Sequence, residues 1–162
     1  LHDYFNIIAI PENETISIVN NDDEFVGWAM TPVQTVHIMS GYKIMPSYGI
    51  ILERNPQILG SKIYKINKLY ITSDTQYCPY QIRDFYASAD LILEDCETAE
   101  FKSHVHAHYE DLKTLEPGFK NKMWLYHYND QPWGCASFEA MQQMAQHDGF
   151  LGFLRQGQVL EI

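Results

Sequence analysis

Apolar residues fall into short runs along the first third of the chain, each bounded by turn-forming residues. Tyr4 to Ile10, Thr15 to Asn20, Phe25 to Met30, Val33 to Met39 and Tyr48 to Glu53 are rich in β-branched and aromatic side chains. Pro11, Glu12 and Asn13, then Asn20 to Asp23, then Gly41 to Pro46 punctuate them, and the pattern predicts consecutive antiparallel strands. From Lys68 the period changes. A strand over Leu69 to Thr72 is followed by a helix opened by Pro79, because proline is tolerated in a first helical turn, and then by a strand over Leu91 to Glu94. A helix near His106 to Leu115, a strand over Met123 to Tyr128 and a helix over Ser137 to Gln146 come next, the last with Phe138, Met141 and Ala145 on one face. Two short strands are expected around Gln156 and Gly157. No repeat or linker divides this α/β chain, so residues 1–162 are read as one domain.

Composition narrows the classes. The chain has 162 residues, 46% of them hydrophobic, enough to bury a core. It begins at Leu1 without an initiator methionine, which reads as a fragment, a processed product or one part of a split protein. No apolar run approaches the ~20 residues of a membrane span and Leu1 to Ile10 lacks the basic start of a signal peptide, so no membrane association and a cytoplasmic location are expected. Cys78, Cys96 and Cys135 form no CxxC pair and read as ordinary buried or half-buried thiols of a reducing compartment. A net charge of -10 with 11 Lys and Arg disfavours a broad nucleic-acid surface.

The chemistry is concentrated at strand ends, where open α/β sheets place reactive groups. His37, Asp74 and His127 each lie at or near the end of an apolar run, and two imidazoles with a carboxylate can converge on a divalent metal. Taken singly, His37 also reads as a hydrogen-bonded core residue and Asp74 as a turn cap. Ser103 to Tyr109 places His104, His106 and His108 at alternate positions. On a strand the three would share one face and form a zinc site, and His104, His106 and Glu110 have the spacing of the first half of a cupin motif. Glu110, Asp111 and Leu112 read instead as the start of a helix.

Five short motifs in order carry a family resemblance. His37 followed by Pro46, Ser47, Tyr48 and Gly49, then Ser73, Asp74 and Thr75, then Ala89 to Asp95, then His106, Ala107 and His108, then His127, together resemble the C-terminal part of metallo-β-lactamase-fold hydrolases, near the branch of ribonuclease Z and related phosphodiesterases. The resemblance implies a mixed sheet with flanking helices, as the C-terminal part of a four-layer αββα fold. It implies two metals, Zn2+ with Mn2+ as the alternative, held about 3.5 to 4 Å apart as in other two-metal hydrolases. Asp74 would bridge them, His37 would serve one and His127 the other. His106 would be the general acid and Asp95 its orienting partner, so that Asp95→Asn would slow turnover and leave metal binding intact. Glu94 stands where that branch has His, and Asp95 where it has Glu.

The ligand-rich HxHxDH motif of that family has no counterpart before His37. The implied partner is therefore an N-terminal half of the fold, or a second chain carrying HxHxDH, within a homo-oligomer. The implied function is a metal-dependent phosphodiesterase acting on a small phosphodiester such as a cyclic nucleotide, since no basic RNA-docking arm is present. Glu97, Tyr109, Trp124, Tyr126 and Tyr128 are candidate pocket walls, although core and rim packing explains them as well. The alternatives are a non-catalytic subunit of such a hydrolase and a cupin-like metal module built on His104, His106 and His108.

Overall fold

A computed structural model describes residues 9–20, 22, 24–55, 65–129 and 135–160. The strand expected over Tyr4 to Ile10 lies outside them except for its last two residues. The described residues form one seven-stranded sheet in the order β1-β2-β3-β4-β5-β6-β7. β1 (Ile16–Val19), β2 (Phe25–Ser40), β3 (Lys43–Arg54) and β4 (Lys68–Ile71) pair antiparallel. β4, β5 (Leu91–Asp95), β6 (Met123–Tyr126) and β7 (Gly152–Phe153) pair parallel. The change of period at Lys68 marks the change of pairing, since parallel neighbours need a crossover and antiparallel ones only a turn.

The crossovers are helical. α1 (Pro79–Ser88) follows β4, the single turns α2 (Tyr109–Leu112) and α3 (Pro117–Lys120) follow β5, and α4 (Phe138–His147) follows β6. Pro79 and Pro117 open their helices from the first turn, while the Ser137 hydroxyl caps α4 by accepting from Ala140 N.

Alternation along the strands gives the sheet two unlike faces. Val33, Ile51, Tyr70, Ile92, Met123, Leu125 and Phe153 share one buried cluster with Ile82 and Tyr86 of α1, Leu112, Phe119, and Met141 and Ala145 of α4. Ile50, Leu52, Ile71, Leu93, Trp124 and Tyr126 lie on the other face and are only half-buried. The described residues thus make a mixed sheet with helices packed on one face. The four-layer αββα arrangement is not shown, because no second sheet lies on the other face among these residues.

Several boundaries differ from expectation, among them the helix expected near His106 to Leu115, which is only the single turn α2, and the strand expected over Met123 to Tyr128, which ends at Tyr126. Phe25 to Met30 and Val33 to Met39 are one strand, β2, that runs through Pro32. Pro32 is tolerated because its carbonyl accepts from Asn13 N, so its peptide edge faces beyond the end of β1 and its missing N–H removes no bond to β3. The turn expected over Gly41 to Pro46 closes tightly at Gly41 and Tyr42, Gly41 with φ +62°, and Pro46 joins β3 opposite Val36. The last strand is Gly152–Phe153, paired with β6; Gln156 and Gly157 form a turn. No helix among the described residues is long and apolar enough to cross a membrane. Cys96 is buried and Cys78 and Cys135 are half-buried, all as free thiols.

Candidate metal centre

The carboxyl ends of β4, β5 and β6 stand side by side; β5 ends on Asp95, and the loops that leave β4 and β6 carry Asp74 and His127. His37 arrives from the antiparallel half by a bulge. Between Val36, paired with Pro46, and Ile38, paired with Met45, the β2 ladder slips by one residue, and His37 is the extra one. A bulge re-aims a side chain that regular pleating would hold in line. The loop after β5 brings His106 into the same space. Centroid distances of 5.0 Å between His37 and His106 and 4.5 Å between His106 and His127 put the three imidazoles in contact.

Each imidazole is tied through Nδ1. His37 Nδ1 donates to the Val105 carbonyl at 3.0 Å. His106 Nδ1 donates to Asp95 Oδ2 at 2.7 Å, and His127 Nδ1 to Asp95 Oδ1 at 2.9 Å. With the proton fixed on Nδ1, the lone pair of a neutral ring lies on Nε2. This is how metal-binding histidines are held, because the second-shell acceptor sets both tautomer and orientation. Asp74 completes the group, with Oδ2 at 3.9 Å from His37 Nε2 and Oδ1 at 3.6 Å from His127 Nδ1.

The donors overlap in two sets. His37, Asp74 and His106 each offer an atom within 4.8 Å of the others, and so do Asp95, His106 and His127. His37, Asp74 and His127 are joined through Asp74 and form no single compact set. Imidazole nitrogens and carboxylate oxygens suit zinc or manganese, so the residues fit the expected group chemically.

Asp95 is the buried hub. Its side chain is wholly inaccessible, its Oδ2 also accepts from Thr75 N at 2.8 Å, and its own N–H donates to Thr72 Oγ1. Adjacent strand positions point to opposite faces, so Glu94 enters the helix-covered core while Asp95 meets the histidines. Burial pushes the Glu94 carboxyl well above the ordinary carboxylate range, against a Tyr86 hydrogen bond that lowers it and the Asp95 charge that raises it further. Burial likewise pushes the Cys78 and Cys96 thiols up, so neither is poised as a thiolate nucleophile.

Backbone strain concentrates here. Four described non-glycine residues have positive φ, and Ser73 (+55°), His104 (+60°) and His127 (+65°) all lie in the loops that build the site. Such conformations persist where surrounding contacts over-determine them. Gln76 supplies part of that restraint: its N–H donates to the Val36 carbonyl and its Nε2 to the His104 carbonyl.

The alternating histidines do not form a module. His104 to His106 is a bend, and His108 is 4% exposed as the cap of α2. His108 Nε2 donates to the Ala99 carbonyl and its Nδ1 accepts from Glu110 N, which consumes both nitrogens. That corrects the cupin-like reading. Among the proposed pocket walls, Tyr109 is buried and donates to Asp148, and Tyr128 donates to the Leu154 carbonyl, as packing residues do. Thr72, Thr75, Gln76 and the Val105 carbonyl were missed as site residues. The threonines flank Asp74 and could have been suspected, whereas a backbone carbonyl leaves no mark in sequence.

The fold and site define a mixed α/β protein with a histidine and aspartate cluster at the ends of its strands. A family model described as Anti-Pycsar protein Apyc1 matches residues 1–160, and the chain belongs to that family. A curated relative, the Anti-Pycsar protein Apyc1 of Paenibacillus xerothermodurans, is 28% identical over 120 residues, covering 71% of this chain and 44% of the relative. The chain thus spans less than half the length of the curated relative it matches. Both matches overturn the metallo-β-lactamase, ribonuclease Z-like assignment and the metallo-β-lactamase type of phosphodiesterase that it implied. The five motifs that carried the resemblance are at most seven residues in a row, and the last is the single residue His127, too short to separate one family from another.

Proposed function

We propose that this chain carries the reaction centre of an anti-Pycsar protein that degrades cyclic nucleotides by metal-dependent hydrolysis. The observation that carries the reading is the common posture of His37, His106 and His127, each with Nδ1 engaged, grouped around Asp74. His37, Asp74 and His127 would hold zinc or manganese, with one oxygen of Asp74 turned toward each histidine. A bound divalent metal supplies Lewis-acid stabilisation of the charge that develops on a phosphoryl group.

The chain's own residues would do the rest. Asp95 fixes His106 with its proton on Nδ1, so that a protonated His106 presents Nε2–H to the leaving alkoxide and returns to the neutral form after transfer. General acid catalysis of this kind contributes roughly 10²- to 10⁴-fold. The same carboxylate fixes His127, coupling ligand and acid through one buried group. Asp74 and His127 side chains are each 47% exposed, which leaves room for further ligands from another segment or a partner chain.

The test uses the natively purified protein loaded with zinc or manganese and incubated with nucleoside 3′,5′-cyclic monophosphates. The expected product is the ring-opened monophosphate, with His106→Ala losing turnover while keeping most of its metal. Failure of the loaded protein to open any of them overturns the reading.

A further inference from the structure

Beside His106 the surface opens into a recess of about 170 Å³ lined by Gln76, Tyr77, Lys102, His104, His106, His108 and Asp111. Of these, His106 belongs to the metal centre, His108 caps α2 and Gln76 braces the loop, while the recess itself has no role assigned so far. We propose that this recess is the nucleoside subsite, receiving the base or ribose of a cyclic nucleotide whose phosphate lies among His37, Asp74 and His127. The inference rests on the function proposed above and adds to it the place and chemistry of substrate recognition.

Three observations carry it. The first is position, because the recess and the metal centre share the His106 ring, so a group joined to the phosphate by its ester oxygens reaches the recess without leaving His106. The second is size. The volume falls below the roughly 300 Å³ of sites that enclose a drug-sized ligand, and matches a fragment such as one base or one sugar.

The third is electrostatic. Lys102 Nζ is paired with Asp111 Oδ1 at 2.5 Å, so the cation facing the recess is already neutralised. A second phosphate would find no uncompensated cation among the lining residues, whereas a neutral polar nucleoside finds the edges of Gln76, Lys102 and His104. Gln76 spends its Nε2 on the His104 carbonyl, which leaves its Oε1 as an acceptor.

The recess is held open. Glu97 Oε2 accepts from both Ser103 N and Ser103 Oγ at 2.9 Å, and Ser103 Oγ accepts from Val105 N. These bonds fix the loop that places His104 at φ +60° with its side chain exposed. His104 thus offers its imidazole to solvent beside the proposed reaction centre, where a bound nucleoside can meet it.

The experiment compares His104→Gly, which keeps the positive φ and removes the imidazole, and Lys102→Ala with the parent protein. Each is assayed on a nucleoside 3′,5′-cyclic monophosphate and on the base-free diester bis(4-nitrophenyl) phosphate, and nucleotide binding is followed by calorimetry. Loss of a subsite contact weakens nucleotide binding and raises KM by about ten-fold, with kcat and the base-free diester unaffected. Equal effects on the two substrates, or none on either, overturn the subsite. A parent that binds the nucleotide without opening it, with binding lost in the variants, sinks the hydrolytic reading and keeps the subsite. A parent that does not bind it removes both.

Discussion

Asp95→Asn separates two accounts of how the site works. Three donors converge on the two oxygens of this fully buried carboxylate: Thr75 N and His106 Nδ1 on Oδ2, and His127 Nδ1 on Oδ1. An asparagine amide offers one acceptor oxygen and one NH2 group. With the oxygen in the Oδ2 position it keeps two donors and turns its NH2 on His127 Nδ1, so two donors face each other across 2.9 Å. The ring relieves this by moving its proton to Nε2, which then has no lone pair for a metal. Loss of such an outer partner weakens metal binding roughly 10- to 100-fold, which is about 1.4 to 2.7 kcal/mol. One charge-assisted hydrogen bond is lost as well, about 1.5 to 3 kcal/mol of stability if nothing rearranges. Zinc affinity measured by competition with a chromogenic chelator, beside turnover and urea unfolding, is the assay. Sequence alone suggested slowed turnover with metal binding intact; the shared hub predicts that both fall. Unchanged zinc affinity with reduced turnover would refute the hub and leave Asp95 serving His106 alone.

Removing metal with a chelator should abolish cyclic-nucleotide opening, and zinc or manganese should restore it; activity that survives exhaustive chelation counts against the metal centre. Gly49→Ala places a Cβ 2.8 Å from the Ile71 carbonyl and 3.0 Å from that of Thr72, so it pushes on the end of β4 that carries Asp74. A loss of about 1 to 3 kcal/mol in urea unfolding is expected, with weaker metal binding. Glu94→Gln tests the buried carboxyl. Because the folded state holds its proton well above the unfolded value, stability is fully present below the unfolded pKa and falls as pH rises above it. Glutamine mimics the protonated form and should flatten that fall, giving a variant more stable than the parent at pH 8; unfolding midpoints from pH 4 to 8 decide it. Ser137→Ala removes the α4 cap away from the site and should lower stability by about 1 kcal/mol without altering kcat.

Periodicity revealed the antiparallel and parallel halves and most strands because alternation is set locally by which face a residue buries. It could not reveal that β2 runs through Pro32, since tolerance of that proline depends on where β1 stops. Nor could it place the end of the sheet, because β7 has two residues, too few to carry a period. The resemblance misassigned the family, yet the residues it selected do meet in space. Metal-ligand side chains are few, and strand ends in a parallel sheet are necessarily adjacent, so His127, Asp95 and Asp74 had little freedom to lie elsewhere.

The connections among those residues were hidden for a different reason. Pairing His106 with Asp95 was implied by the family resemblance across two neighbouring motifs, but Asp95 also holds His127, 32 positions away, and the register of β5 against β6 decides that. Asp95 pairs with Tyr126, so the next residue of β6 rises past the strand end, and its φ of +65° turns the ring back over the carboxylate. One residue of slip would send His127 to the opposite face and leave Asp95 with a single imidazole. The proposed coupling of ligand to acid would therefore be a property of sheet register, written in the apolar residues of β5 and β6 and not in the histidines and aspartates themselves.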